Sequence, residues 1–406
     1  MPLLPNLFRT EYGKMVAVLV RSFGFSHVEE AEDLVSDTFA LAAETWGMKG
    51  IPENPTGWLY TVAKNNARDR LRRKGHFSNR ILPNLKQDHP LTEMPEPDFS
   101  PESFQDSQLR MIFTLCHPAL NPEQQVALCL RILGGFGIDE IAAAFLTTKS
   151  TINKRLQRGK SRLREVLSSI ELPPSSALNE RLEAVLTTIY LLFNEGYHAS
   201  VTPETFRREL CADAIRLALL LTTNKKTNLP QVNALLALMC FQTSRFDARS
   251  GTDGELILYA RQDRSLWDER LIGQGRKFLT AATSGGHNGR YHLEAAIAFL
   301  HTKPTESPEK WPTILSLYNR LLQLHYSPVA ALNRTYALSR VHGPEAAITE
   351  ALKIDLKGHL WFHLLLADLY GQAEEKAKAK DHLNQSLVLT KNPATKRFIA
   401  AKIAAL

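Results

Sequence analysis

The chain has 406 residues, 44% of them hydrophobic and 22% charged, with a formal net charge of +7. That composition excludes a wholly disordered chain and supplies apolar material for two or three packed domains. No uninterrupted apolar run reaches the roughly 18 residues of a membrane span, and the N-terminus lacks a basic start followed by an apolar core. The expectation is a cytoplasmic protein with no secretion signal and no membrane span. A basic excess favours a polyanionic partner, yet over this length it can equally serve solubility, so its distribution carries the information. Cys116, Cys129, Cys211 and Cys240 are far apart, in apolar surroundings, without a CxxC pair or a Cys/His cluster of zinc spacing. Buried thiols, no metal and no cofactor are the reading.

Residues 6–46 read as helices, with Leu7, Met15, Val18 and Leu19 and then Ala31, Leu34, Val35, Thr38, Phe39 and Ala42 recurring at helical spacing. The second stretch is strongly acidic: Glu29, Glu30, Glu32, Asp33, Asp37 and Glu44 occur with no Lys or Arg between Val28 and Trp46. Taken alone, this is either a solvated face or a docking surface. Asn54-Pro55 then offers an N-cap and a first-turn proline. In the helix that follows, Trp58, Leu59, Val62, Ala63, Ala67 and Leu71 can cover a core. Lys64, Asn65, Arg68, Arg72 and Arg73 are left for the surface. Six Lys or Arg and one Asp lie between Lys64 and Lys74, a helix able to neutralise phosphates, with aromatic neighbours able to stack on unpaired bases. From residue 75 the chain turns polar, acidic and proline-rich, with Pro90, Pro95, Pro97 and Pro101. Proline removes helical hydrogen bonding and restricts its predecessor, so 76–108 reads as a linker.

Asn121-Pro122-Glu123-Gln124 predicts a capping box. Val126, Leu128, Leu130 and Leu133 supply an apolar face before Gly134, Gly135 and Gly137 interrupt it. The short helix Ile138–Phe145 and the turn Leu146-Thr147-Thr148 lead into a second helix. Ile152 and Leu156 anchor that helix inward, while Thr151, Lys154, Arg155 and Arg158 project elsewhere. From Thr147 to Arg164 there are seven Lys or Arg and no acid. Two short helices joined by a tight turn place the second in a DNA major groove. A basic amphipathic helix meeting a membrane or a protein is the alternative. Thr148, Thr151, Lys154, Arg155 and Arg158 are the expected DNA contacts. Lys160, Arg162 and Arg164 read as backbone contacts or solubilising residues at the helix end.

Together these constellations resemble the sigma-70 family, specifically its extracytoplasmic-function group. The specific pieces are Glu32-Asp33-Leu34-Val35-Ser36-Asp37-Thr38-Phe39 and Asn54 to Tyr60 continuing through Asn66-Ala67-Arg68-Asp69. In the second module they are Asp139-Glu140-Ile141-Ala142 and Thr151-Ile152-Asn153-Lys154-Arg155-Leu156. The resemblance implies that Asp33, Asp37 and Phe39 engage core RNA polymerase. It implies that Trp58, Asn65, Arg68, Arg72 and Arg73 lie at the minus-10 element and its melted non-template strand, and that Thr148 to Arg158 lies at the minus-35 element. Leu146 stands where the family often has glycine. The implied mechanism is promoter selection and melting without catalysis by this chain.

The expected architecture is all-α. A region 2-like domain spans 1–75, a linker 76–108 and a region 4-like helix-turn-helix domain 109–170. A helical extension (171–300) and tetratricopeptide-like hairpins (301–406) follow. Glu180–Tyr197 reads as a helix running into a turn, Glu204–Leu221 and Pro230–Ala248 as further helices. Gly254, Asp263, Arg264, Trp267 and Asp268 resemble a segment in a sigma subgroup whose extension carries helical repeats; read from spacing alone, the acids are surface groups and caps and Trp267 a packing anchor. Tyr336 and Tyr370, like Leu332 and Leu366, are 34 residues apart, the tetratricopeptide period. Gly343-Pro344 and Gly358 break any long coiled coil. Such hairpins offer a groove for a regulatory protein or for the chain's own sigma modules. A one-component DNA-binding regulator with a ligand- or protein-binding helical domain is the competing function.

Overall fold

The computed structural model describes residues 3–81, 96–145, 147–167, 169–198, 204–249, 257, 259–284, 289–303, 307–390 and 393–406, without the side chains of 71, 73–81, 198, 204–207, 260 and 394. Every regular element among the described residues is helical, and none of those helices is long and apolar enough to cross a membrane. The chain forms two compact units, Met1–Thr227 and Asn228–Leu406.

In the first unit, α1 (Leu3–Phe23) is packed against α2 (Val28–Lys49), α3 (Pro55–Ile81) and α4 (Pro101–Leu115). Enclosure on several sides explains why Tyr12, Met15, Val16, Leu19 and Val20 are all buried, although a surface helix would bury one stripe only. Helix α5 (Pro122–Leu128) widens into a π-turn over Cys129–Leu133, and that turn forms a further wall of α1. The Gly134 amide reaches back to the Cys129 carbonyl at 3.1 Å, the five-residue spacing of a π-bulge. Gly135, at φ 67°, then turns the chain where a side chain would be strained. The remaining helices of this unit are α6 (Ile138–Ala144), α7 (Lys149–Val166), α8 (Ser175–His198) and α9 (Glu204–Thr222). Helices α8 and α9 pack on each other and on α4, and α8 also on α5. Buried Thr188 donates to the Gln125 carboxamide oxygen at 2.9 Å.

Two sequence expectations change here. The stretch read as linker is shorter, because α3 continues to Ile81 and α4 begins at Pro101. Ser100 caps α4, its hydroxyl accepting from Ser103 N at 3.3 Å. Pro101 therefore occupies the first turn, where its missing N–H has no intrahelical partner to lose, and proline starts this helix instead of preventing it. Residues 82–95 lie outside the described residues. The segment Glu180–Tyr197 lies within one helix that passes through Gly196 without a turn.

The second unit contains α10 (Pro230–Thr243), α11 (Glu269–Thr283), α12 (Arg290–Thr302), α13 (Lys310–Leu324), α14 (Pro328–His342), α15 (Pro344–Ala351), α16 (Leu360–Gln372), α17 (Lys376–Leu389) and α18 (Pro393–Ala404). Val232 to Phe241 are buried on every face of α10, which α11 and α12 enclose. It ends at Thr243, short of the Ala248 expected, with a single 3-10 turn at Asp247–Arg249 beyond it. From α12 onward each helix packs on the next. Leu332, Leu366 and Tyr370 meet in one core with Ile348 and Phe362, while Tyr336 packs on the neighbouring core of Leu293, Trp311 and Leu338. The 34-residue echo thus falls on corresponding inward positions of α14 and α16, within repeat-like pairs of helices. Trp361, near the start of α16, is 37% exposed.

Candidate nucleic-acid interface

The helix-turn-helix is α6 followed by α7. Thr148 caps α7, its hydroxyl accepting from Thr151 N at 3.2 Å. One face, formed by Ile152, Leu156, Gly159 and Leu163, is buried. A Cβ at Gly159 would stand 2.9 Å from a Leu128 methyl, so α7 lies unusually close to α5. That contact, and the capping box at Asn121 and Gln124 with both of its hydrogen bonds formed, fix which way α7 faces.

Thr148, Lys154 and Arg158 are exposed and Thr151 is half-buried on the outer side. Arg155 leans back onto Glu123 at 2.5 Å, and Lys149 onto Asp139 at 2.6 Å. Exposed pairs of this kind contribute only about 0–1 kcal/mol, so a phosphate can displace the carboxylate. Leu146, the departure from the family pattern, lies outside the described residues.

On α3, Leu59, Ala63 and Ala67 follow one another at four-residue intervals and are buried, leaving Asn65, Arg68 and Arg72 exposed. Trp58 is half-buried, edge-on to Trp46 with ring centroids 5.5 Å apart. Glu96, returning from the far side of the linker, pairs with Arg68 and lies 3.5 Å from Lys64. The hydrogen bond from Arg68 holds the Glu96 carboxyl below its usual range. Arg72 pairs with Asp69 at 2.5 Å, and the Arg73 side chain lies outside the described residues. Tyr60 packs between Phe99 and Phe104 and donates its hydroxyl to Glu11. Burial and the Glu11 carboxylate push its phenol above the ordinary range.

The acidic helix α2 divides into two faces. Asp33 and Asp37 are exposed, Asp37 pairing with Arg70 at 3.0 Å. Phe39, expected on the same surface, is 5% exposed and packs edge-on against Phe8. Its position on the inner turn of α2 makes it a core residue that supports the acidic face from behind.

The larger departure is at Lys160. The sequence reading left it at the DNA backbone or in solvent; it is buried, with Nζ 2.5 Å from the Glu32 carboxylate, itself 5% exposed. Arg131 Nε reaches the other Glu32 oxygen at 3.2 Å. Arg164 pairs with Glu29. Burial alone would raise the Glu29 carboxyl, but the Arg164 hydrogen bond and the Lys160 charge outweigh it and leave it low. These partners are more than ninety residues apart in sequence, beyond the reach of a periodicity argument. One local signal was present, since Lys160 falls on the same helical face as Ile152, Leu156 and Leu163, which marks it as inward.

In the extension, Asp263 caps the short turn Arg264–Leu266 by accepting from Ser265 N at 2.9 Å. Asp268 caps α11, accepting from Arg270 N at 2.8 Å and Leu271 N at 3.1 Å. Trp267 is buried beneath the Arg264 guanidinium, 5.5 Å from its ring centroid, and beside Tyr259. The Asp268 amide donates to the Ser244 carbonyl at 2.8 Å, tying this motif to the end of α10. Gly254 lies outside the described residues. All four cysteines are buried free thiols, and no group of three or more His, Cys, Asp or Glu among the described residues is placed to hold a metal ion.

Residues 8–77 match the family model of Sigma-70 region 2, residues 110–163 that of Sigma-70, region 4, and residues 181–283 a family of unknown function, DUF6596. Uncharacterized protein R00370 of Rhizobium meliloti (strain 1021) is 34% identical over 384 residues, which cover 93% of this chain and 90% of that protein. The ECF RNA polymerase sigma factor SigE of Mycolicibacterium smegmatis is 28% identical over 169 residues, 41% of this chain and 63% of that protein. The RNA polymerase sigma factor CarQ of Myxococcus xanthus is 30% identical over 142 residues, 35% of this chain and 77% of that protein. No solved structure matches the chain. With the first match covering α1 to α3 and the second covering the capped helix-turn-helix, the chain belongs to the sigma-70 family, is similar to its extracytoplasmic-function members, and carries a long helical extension.

Proposed function

We propose that this protein is an alternative sigma factor: it binds core RNA polymerase, recognises minus-10 and minus-35 promoter elements, and promotes initiation while the polymerase performs all the chemistry. One observation carries the reading beyond the family match. A capped helix, α7, is pinned inward by Ile152, Leu156 and Leu163 and presents Thr148, Lys154 and Arg158 outward beside a displaceable Arg155–Glu123 pair. Thr151, Lys154, Arg155 and Arg158 contact the minus-35 element, some reading base edges and others phosphates. Trp58, Asn65, Arg68, Arg72 and Arg73 serve the minus-10 element and its melted strand, and Asp33 and Asp37 meet the polymerase, with Phe39 supporting them from the core. The protein acts in the cytoplasm, at the nucleoid during transcription.

For the extension, the 34-residue correspondence of Leu332 with Leu366 supports tetratricopeptide-like hairpins that bind a regulatory partner or the sigma modules. Asp263, Trp267 and Asp268 organise the start of that region. The test is reconstitution: purified full-length protein, core polymerase and templates found by transcript mapping after controlled expression. Promoter-specific transcripts that depend on this chain are the expected result. Duplex binding without polymerase association would replace this reading with the one-component regulator.

A further inference from the structure

We propose that the hairpin of α16 and α17 holds a divalent transition-metal ion of the zinc class between the Nδ1 atoms of His363 and His382, and that this ion locks the two helices together. The inference concerns the extension alone and does not depend on the sigma reading. The two Nδ1 atoms face each other at 3.0 Å across the hairpin. His363 Nε2 lies 2.7 Å from the Lys357 carbonyl oxygen, which can only accept, so that nitrogen carries the ring proton. In the neutral ring the Nδ1 lone pair is therefore directed at His382. A ligating imidazole is oriented in the same way, its far N–H donated to a backbone carbonyl and its other nitrogen turned to the ion. The rings are also held in place. His382 lies 6° from parallel to the Tyr370 ring with centroids 5.4 Å apart, and His363 stands edge-on to Phe362 at 5.2 Å. His363 is 4% exposed, whereas His382 is half-buried, so an ion can enter from the His382 side.

Zinc–imidazole bonds are about 2.0–2.1 Å long, and two of them at a tetrahedral angle place their nitrogens about 3.3 Å apart. The pair therefore needs to part by only about 0.3 Å. Without the ion a proton occupies its place, since His382 Nδ1 must donate where His363 Nδ1 accepts. On binding, that proton passes through solvent to His382 Nε2, both Nδ1 lone pairs face the ion, and neither imidazole changes its charge. Imidazole nitrogens select this class of ion over magnesium and calcium, which prefer oxygen. The surroundings do not repel a cation. Lys378, over the Tyr370 ring, is paired with Glu375, and Asp381 adjoins His382 in sequence. No third His, Cys, Asp or Glu among the described residues is placed to join the pair, so water completes the coordination shell. Packing by itself does not call for two histidines here, since apolar side chains of the same shape serve an interior about as well as one neutral hydrogen bond. Their 19-residue separation matches no zinc spacing in sequence, and only the hairpin brings them together.

The test is hydrogen exchange followed by mass spectrometry on the full chain, with Zn2+ as the probe, Mg2+ as the control and Kd taken from a calorimetric titration. An ion that binds only the closed hairpin slows amides that exchange through its opening, by about a hundredfold at about a hundred times Kd. This protection is expected in α16 and α17 of the wild type with Zn2+ and not with Mg2+. It should vanish in His363→Gln and in His382→Gln. The chain contains 13 histidines, so the place of the protection decides the matter. Protection that persists in either variant, or that appears only outside α16 and α17, overturns the proposal. Equal protection by Mg2+, or none by Zn2+, does the same. Should His363→Gln fail to fold, His382→Gln decides, because that side chain is half-buried and its loss leaves the hydrogen bond from His363 to Lys357 in place.

Discussion

Gly13→Ala and Gly47→Ala make the same chemical change in two helices and should act with opposite sign. Both glycines sit inside helices at negative φ, where alanine is favoured by about 1 kcal/mol. Gly47 is exposed, with nothing within 4 Å of a Cβ built there, so its substitution should stabilise by most of that amount. At Gly13 the new methyl would stand 2.7 Å from the Leu133 carbonyl carbon, 2.9 Å from its Cα and closer still to its oxygen. Ordinary carbon contacts lie at about 3.5–4.0 Å, so the π-turn must retreat by about 1 Å. The obstacle is backbone, so the overpacking cost belongs in the upper part of the roughly 1–3 kcal/mol range. Net of propensity, Gly13→Ala should destabilise the α1 contact by about 1–2 kcal/mol. Hydrogen exchange followed by mass spectrometry can localise the effect: amides of α1 and Cys129–Leu133 should exchange about five- to thirtyfold faster in Gly13→Ala, since 1.4 kcal/mol is about tenfold. Slower exchange in Gly13→Ala, matching Gly47→Ala, would refute the close approach of α1 and the π-turn.

Three further outcomes follow from the geometry. Glu123→Gln removes the carboxylate that holds Arg155 and should tighten promoter binding by up to about fivefold, given the small worth of an exposed pair; weaker binding in a promoter titration would contradict the displacement argument. Arg158→Ala should lower promoter affinity, and if this guanidinium contacts phosphate the salt dependence should flatten by about one unit of slope without altered sequence preference. His301 is held down to about 3, first by burial and then by the Arg245 and Lys310 charges. Because its folded value lies below its ordinary 6.5, the stability tied to its neutral form is complete above that pH. It is lost as pH falls from there towards about 3, at up to about 1.4 kcal/mol per unit. Thermal unfolding of the wild type should therefore steepen below pH 6.5, and His301→Phe should flatten that limb; identical profiles would show that another group is responsible.

Local chemistry carried much of the architecture. Asn121 and Gln124 announce their capping box because both partners lie within one turn, and Ile152, Leu156 and Leu163 repeat at the period that turns Lys154 and Arg158 outward. The same logic misjudged 76–108, since a proline lowers helix probability everywhere except in the first turn, and Ser100 supplied the cap that makes Pro101 a start signal. Phe39 recurs with Leu34, Val35 and Ala42 at the apolar helical spacing, and only the family resemblance placed it on the polymerase-facing surface with Asp33 and Asp37; its ring belongs to the core with Phe8.

The sequence by itself determined the helices, the order of the two sigma modules and the separation of acidic from basic helices, all of which depend on residue type and spacing within a turn or two. Tertiary structure alone decided that Glu32 is shared by Lys160 and Arg131, that Arg9 bridges α6 and α9, and that Gly13 lies against Leu133. These contacts join residues separated by ninety or more positions, and nothing in the spacing of either partner specifies the other. They arise only when packing of α1 has enclosed the groups, so that each buried charge must find whatever opposite charge the fold has brought within reach.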